Sequence, residues 1–123
     1  MNGNQYFEFD FEKLDVCKKS LKFVNQVFKI SVQFDREFQY SLGDQFRRAA
    51  LSICNNIAEG SRKLGKWKHQ FYNYALDSAR ECIPMISISS EQSQIDLEKV
   101  AGLRSECIDI SKMLFRLAES AKY

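Results

Sequence analysis

The apolar and polar positions of this chain repeat with the period of helices rather than strands. Glycine occurs five times and proline once, so few residues interrupt the helical pattern. The longest strand-like alternation is the opening Tyr6–Phe11. We therefore expect an all-α protein, preceded by an extended arm of residues 1–11 whose Phe7, Phe9 and Phe11 pack on one face of their own domain.

The first predicted helix covers about residues 12–34 and carries two apolar stripes, roughly 120° apart on its surface. The stripes consist of Leu14, Cys17, Leu21, Val24 and Phe28, and of Val16, Phe23, Val27, Ile30 and Phe34. The core of one bundle needs a stripe only a little over about 100° wide. The second stripe therefore requires another partner, which is either a second subunit or the rest of its own domain.

Three further helices are predicted, at about residues 42–64, 66–90 and 96–121. Ser41 and Asp44 form a capping signal for the second helix, with a core stripe that extends to Leu64, and Gly65 marks its end. Pro84 lies inside the third helix, where it should produce a kink. Because the loops are short, neighbouring helices should be antiparallel. We predict one domain, residues 1–123, folded as an antiparallel up-down-up-down four-helix bundle.

The sequence also indicates where in the cell the protein is located. The apolar stretch Cys82–Ser90 is much shorter than the roughly 20 residues that a membrane span needs. The first ten residues contain two acidic side chains and no basic one, unlike a secretory signal. We expect a cytoplasmic protein that does not bind membranes.

No constellation of residues indicates catalysis. The four cysteines, Cys17, Cys54, Cys82 and Cys107, are widely spaced and include no Cys-x-x-Cys pair, which favours buried thiols over a disulfide, a redox pair or a metal site. His69 has no partner at a spacing typical of a triad or a metal site, and residues 60–65 are not a phosphate-binding loop. We expect no enzymatic activity, no cofactor and no metal.

The middle of the chain is its basic part. Residues 41–80 carry seven basic and three acidic side chains, although the net charge of the whole chain is only +2. Residues 62–69 place several cations around Trp67. Because cations contact phosphates and aromatic rings stack on bases, this connection is the best candidate for binding nucleic acid. The alternative is a basic loop in which Trp67 covers the end of the bundle.

A polar stripe runs along the second helix beside its core face, formed by Arg48, Ser52, Asn55, Glu59 and Arg62. The stripe is either an ordinary solvated face or part of a subunit interface or ligand groove. In the second case Glu59 could hold Arg62, or another arginine, in a bidentate pair.

The second helix also carries a family resemblance. Residues 45–53 (QFRRAALSI) and 55–60 (NNIAEG) resemble the hallmark of the 23S rRNA intervening-sequence protein family. Phe11–Leu14 at the start of the first helix and residues 71–81 in the third extend the similarity over most of the chain. Ser52, Ile53 and Cys54 differ from the Ser-Ile-Pro of many members, which predicts that a mid-helix bend is absent.

The resemblance implies a bacterial four-helix bundle without known catalysis that assembles into a ring, usually a homopentamer. Similar proteins include the accessory variability proteins of diversity-generating retroelements, which are basic pentamers that bind nucleic acid and a reverse transcriptase. The positions that match the family motif, or its interface, include Asn56, Glu59 and Gly60.

Two hypotheses follow. The first is an oligomer that binds RNA or DNA through Arg47, Arg48, Arg62, Lys63, Lys66 and Lys68. The second is a protein–protein scaffold or adaptor without a nucleic-acid ligand.

Overall fold

The computed structural model describes residues 7–122, and this part of the chain contains helices and connections but no strand. The four long helices are α1 (Asp15–Ser31), α2 (Asp44–Ser61), α3 (Gly65–Glu91) and α4 (Leu97–Ser120). A 3-10 turn, Asp10–Lys13, precedes α1, and a short α-helical turn, Arg36–Phe38, followed by a π-helical segment, Gln39–Gly43, leads into α2. The predicted all-α four-helix bundle is confirmed. Residues 1–6 of the predicted arm lie outside the described residues. The arm was predicted to extend to residue 11, but the 3-10 turn already begins at Asp10, and Phe11 packs against the core.

Successive helices pack against each other in antiparallel pairs. Gly60 near the end of α2 lies against Tyr72 near the start of α3. The Cys107 thiol of α4 donates a hydrogen bond to the Ala79 carbonyl of α3 at 2.9 Å. The helix α1 closes the bundle by packing against both α2 and α4. None of the helices in residues 7–122 is long and apolar enough to cross a membrane.

Most of the two stripes of α1 enters the core of this same chain. Phe23 and Val27 of one stripe and Cys17 and Val24 of the other are buried among apolar residues of the bundle. Their neighbours in the core include Phe46, Ile53, Ile57, Ala79, Ile86, Ile110 and Leu114. Only Leu21 and Phe28 of the two stripes remain exposed, and both belong to the first stripe. The second stripe, which was expected to need another partner, is buried except for the half-buried Ile30. The additional apolar surface of α1 therefore packs mainly against other helices of its own domain.

The start of α2 differs from the prediction. Ser41 does not cap the helix but lies inside the π-helical segment, because helical backbone already begins at Arg36. Gln39 Nε2 donates hydrogen bonds to the carbonyls that follow α1, including those of Ser31 and Phe34. Since one side chain satisfies the free carbonyls at the end of α1, the chain reverses direction here without a separate capping residue.

Arg47 completes this connection. Its guanidinium donates to Ser31 Oγ and to the Gln39 carbonyl, both at 2.8 Å. A β-carbon at Gly43 would lie 3.2 Å from Arg47 Nη1 and from the Phe38 carbonyl oxygen, so glycine leaves room for the guanidinium. Arg47 therefore ties α1, the π-helical segment and α2 together.

Other helix ends also differ by a few residues from the predictions. α1 begins at Asp15 and α2 ends at Ser61, so the assignment of Leu64 to the core stripe of the second helix is wrong: its side chain is 84% exposed. Gly65 has a φ of +55°, as its predicted role in the turn requires. α3 continues through Pro84. At α4, Asp96 is the capping residue and accepts from the Lys99 amide at 3.0 Å.

We predict that Arg47→Ala lowers the free energy of unfolding by about 2–3 kcal/mol, because it removes two short charge-assisted hydrogen bonds inside the fold. Urea denaturation followed by circular dichroism measures the change. Arg48→Ala is the matched control: Arg48 is exposed and pairs only with Asp44, at 3.2 Å, so its loss should cost less than about 0.5 kcal/mol. Equal losses in the two variants would contradict the assignment.

Candidate nucleic-acid interface

The connection between α2 and α3 depends on Gly60. A β-carbon at this position would lie 2.9 Å from Tyr72 Cδ1 and 3.2 Å from Phe71 Cβ, so only glycine allows the two helices to approach this closely. The ring of Tyr72 is buried by the contact, and this burial raises the pKa of its hydroxyl. The family-motif residue Gly60 therefore has a packing role at the base of the turn.

The cations of the turn share one carboxylate. Glu59 Oε2 lies 3.5 Å from Arg62 Nε and 3.8 Å from Lys63 Nζ. A second arginine nitrogen, Nη2, reaches the same oxygen, so the bidentate pair proposed from the sequence does not form. One negative charge therefore faces two positive charges, and these partly exposed ion pairs hold their side chains only weakly.

Three lysines lie beside aromatic rings. Lys63 is 5.6 Å from the centroid of Phe71, Lys66 is 5.8 Å from that of Trp67, and Lys68 is 5.6 Å from that of Tyr72. Lys68 also donates to the Ser61 carbonyl at 3.1 Å, which satisfies a free acceptor at the end of α2. Lys68 thus stabilises the turn as well as adding charge to it.

Trp67 does not cover the end of the bundle. Its side chain is 57% exposed, whereas Tyr72, one and a half turns further along α3, is 4% exposed. An exposed ring among cations can stack on a base while the cations contact the neighbouring phosphates. The geometry of the turn therefore fits the nucleic-acid reading better than the alternative of a capping tryptophan.

His69 joins the turn to the last helix. Its Nδ1 donates to the Ala118 carbonyl of α4 at 2.6 Å, and its Nε2 lies 3.0 Å from Asn73 Nδ2. Both ring nitrogens therefore have partners inside the fold, and the contact satisfies one of the free carbonyls at the end of α4.

The two remaining candidate cations lie elsewhere. Arg47 is engaged in the connection between α1 and α2, and Arg48 pairs with Asp44 on the same helix. Fourteen residues of helix separate Arg48 from Arg62, which corresponds to about 21 Å. The six candidates therefore do not form one patch: four gather at the turn, and two lie near the opposite end of α2.

The polar stripe of α2 partly enters the contact with α3. Asn56 Nδ2 donates to the Ser52 carbonyl at 2.9 Å and lies 3.0 Å from Ser52 Oγ. Ser78 of α3 is 2.8 Å from the same hydroxyl. The motif residue Asn56 thus helps to fill a polar contact between the two helices, while Asn55 is exposed.

All four cysteines are free thiols. Burial raises the pKa of Cys54 to about 12 and also raises that of Cys17. Cys82 and Cys107 face each other: the hydrogen bond between the two thiols raises the pKa of Cys82 and lowers that of Cys107. Among residues 7–122, no three or more histidine, cysteine or acidic side chains are grouped so that they could hold a metal ion.

A second group of cations lies on the outer side of α3 and α4 and was not predicted from the sequence. Arg104, Lys112 and Arg116 lie on one face of α4, and Arg80 of α3 lines a surface depression together with Lys112 and Arg116. Residues 104, 108, 112 and 116 lie four apart along one helix, and this spacing could have indicated that they share one face.

Comparisons with known proteins agree with the overall fold. The profile of the family described as "23S rRNA-intervening sequence protein" matches residues 12–116. A crystal structure of a protein of unknown function from the S23 ribosomal protein family of Bacteroides thetaiotaomicron is similar, with a TM-score of 0.77 and 21% sequence identity. The similarity covers 85% of this chain and 95% of that one. No curated protein matches the sequence.

We predict that Gly60→Ala destabilises the bundle by about 1–3 kcal/mol, because Tyr72 and Phe71 must move to admit the methyl group. Gly102→Ala is the matched control. Gly102 also lies inside a helix, but a β-carbon there meets nothing within 4 Å, so the higher helix propensity of alanine should stabilise the protein by up to about 1 kcal/mol. Thermal and urea unfolding measure both. Effects of the same sign would refute the packing role of Gly60.

Proposed function

The chain belongs to the 23S rRNA-intervening sequence protein family, and we propose that it is a homo-oligomer that binds RNA or DNA and catalyses no reaction. The proposed binding site is the basic turn, defined as Arg62, Lys63, Lys66, Trp67 and Lys68. The observation that supports it most is the exposed indole of Trp67 among four cations. We further propose that the protein is bacterial and cytoplasmic.

Four residues of the basic turn, Arg62, Lys63, Lys66 and Trp67, have a proposed part in binding. Arg62 and Lys63 share Glu59 and would exchange this exposed pairing for phosphate contacts at little cost. Lys66 lies against Trp67, so it can contact the phosphate next to a base stacked on the indole. Single strands are the favoured ligand, because their bases are free to stack.

Self-association is supported by apolar side chains on the side of α1 and α2. Leu21, Phe28 and Val32 of α1 and its following turn, and Leu51 of α2, are exposed. The ring assembly implied by the family resemblance would cover them, with a pentamer as the expected order. A protein–protein scaffold without nucleic acid is the second candidate, and the same apolar residues favour it.

We predict that Arg62→Gln combined with Lys66→Gln weakens binding to a fluorescent single-stranded RNA oligonucleotide of mixed sequence. The slope of log affinity against log salt concentration should become shallower by about 1.4, the value for two lost phosphate contacts to a single strand. Fluorescence anisotropy over a salt series measures it.

Arg36→Gln combined with Lys99→Gln is the control, with the same change in net charge at the opposite end of the bundle, where Asp35 contacts Gln94. The slope should then be unchanged. If the unmodified protein binds no RNA at low salt, or binds with a flat salt response, the nucleic-acid proposal fails and the scaffold is favoured.

Trp67→Ala should weaken binding of the same RNA by about 1–3 kcal/mol, because the stacking surface is lost. Tyr40→Ala removes another exposed aromatic ring, which precedes α2 at the far end of the bundle, and should leave affinity unchanged. Anisotropy titrations at constant salt provide both values. Equal affinity of the Trp67 variant and the unmodified protein would exclude stacking on the indole.

A further inference from the structure

An apolar groove, the α3–α4 groove, lies on the outer side of these two helices. One depression of about 400 Å³ is lined by Leu76 and Ile83 of α3 and by Ile108 and Phe115 of α4. Ile108 also lines a second depression of about 620 Å³, which extends along α4 to Leu97. The side chain of Phe115 is 53% exposed, so its ring is accessible to a ligand.

Three cations border the α3–α4 groove: Arg80 of α3, and Arg104 and Lys112 of α4. None of the three forms an ion pair with another residue of the described range 7–122. Asp109 is the acidic side chain in the lining, and its carboxylate lies 3.7 Å from Lys19 Nζ of α1. The groove therefore carries positive charge that no carboxylate of the described chain neutralises.

The exposed ring of Phe115 lies among these cations. Phe115 follows Lys112 by three residues, so the two side chains are neighbours on one side of α4. Arg116 reaches the groove as well, although it also lines a depression with Asp15 of α1. Surfaces that combine exposed aromatic rings with free cations bind single-stranded nucleic acids, because bases stack on the rings and phosphates contact the cations. The groove therefore repeats the chemistry of the basic turn.

The groove and the basic turn adjoin each other. His69, directly after the turn residue Lys68, contacts the Ala118 carbonyl of α4, and Phe115 precedes Ala118 by three residues. Phe115 therefore lies within about 5 Å of this level along the bundle axis. From Phe115 the groove continues along α4, away from the turn, for about 16 Å to Arg104. An acidic protein segment would also neutralise these cations, but a nucleic-acid strand can cover both surfaces at once.

We propose that the α3–α4 groove is a second contact surface for the nucleic-acid strand that binds the basic turn. A base stacks on Phe115, and Arg80, Lys112 and Arg104 contact the neighbouring phosphates. The inference rests on the proposed nucleic-acid binding at the basic turn, and it extends the binding site along the bundle. A strand long enough to reach both surfaces then binds more tightly than one that reaches only the turn.

Two single-stranded RNAs of mixed sequence test the contact in the full-length protein, one of about 4 and one of about 16 nucleotides, which bracket the usual size of single-strand sites. Arg80→Gln with Lys112→Gln should weaken binding of the long RNA by about fivefold or more. The slope of log affinity against log salt should become shallower by about 1.4, because two phosphate contacts are lost. The short RNA still finds the unchanged turn, so its affinity should change by less than about twofold. Fluorescence anisotropy measures both.

Phe115→Leu tests the stacking contact separately, because it removes the ring but keeps an apolar side chain on the surface. Its affinity for the long RNA should fall by about fivefold or more. Tyr40→Leu is the matched control, since Tyr40 is an exposed aromatic residue at the far end of the bundle. Arg36→Gln with Lys99→Gln is the charge control for the groove variant. Both controls should bind the long RNA like the unmodified protein, and circular dichroism checks that every variant is folded.

The outcomes separate this inference from the proposed function. If the basic-turn variant Arg62→Gln with Lys66→Gln weakens binding of the long RNA but the groove variants behave like their controls, the groove contact is wrong and the basic turn remains the binding site. A groove variant that changes the sedimentation coefficient of the oligomer and leaves RNA affinity intact assigns the groove to a protein contact and also overturns the inference. If the unmodified protein binds neither RNA at low salt, the proposed function fails together with it.

Discussion

The close contact between α2 and α3 at Gly60 determines how the two helices meet at the end of the bundle that carries the basic turn. Because Tyr72 and Phe71 occupy the space of a side chain at residue 60, the two helices meet tightly directly before the turn. This proximity lets Lys68 donate a hydrogen bond to the Ser61 carbonyl. The side chain of Trp67 remains exposed beside the turn. The shape of the turn that carries the proposed binding surface therefore depends on the packing at Gly60.

Similar basic residues have different roles in this protein, and the difference is the position of the charged group in the fold. Arg47 and Arg48 are adjacent in sequence, but the first donates to Ser31 and Gln39 inside the structure and the second pairs with Asp44 on the surface. The cations of the α3–α4 groove have no such partner in the described chain. Although the net charge is only +2, the protein therefore has one arginine that stabilises the fold and two separate positively charged surfaces.

The sequence predicted the existence and order of the four helices well, because the apolar period of a long amphipathic helix is a strong signal. It predicted the boundaries less well. Ser41 has the chemistry of a cap, but the π-helical segment and Gln39 supply the connection instead, and this depends on the carbonyls at the end of α1. For the basic turn, Arg62, Lys63, Lys66 and Lys68 were identified as one cluster because they are close in sequence. Arg47 was also included as a candidate, because neither its residue type nor its position in the motif reveals the hydrogen bonds that it makes inside the fold.

Composition and periodicity by themselves determined an all-α bundle and its basic turn, and the sequence motif of the second helix carried the family resemblance, since these properties depend on residues close in sequence or on their repeat. Contacts between distant residues were decided only by the tertiary structure. In the folded chain, most residues of both α1 stripes are buried in the core of the same domain, and Arg47 donates a hydrogen bond inside the fold. Folding also brings Arg80 beside Lys112 and Arg116 around an apolar groove. The physical reason is that burial and pairing depend on which side chains meet across helices, and a helical period specifies only which residues share a face.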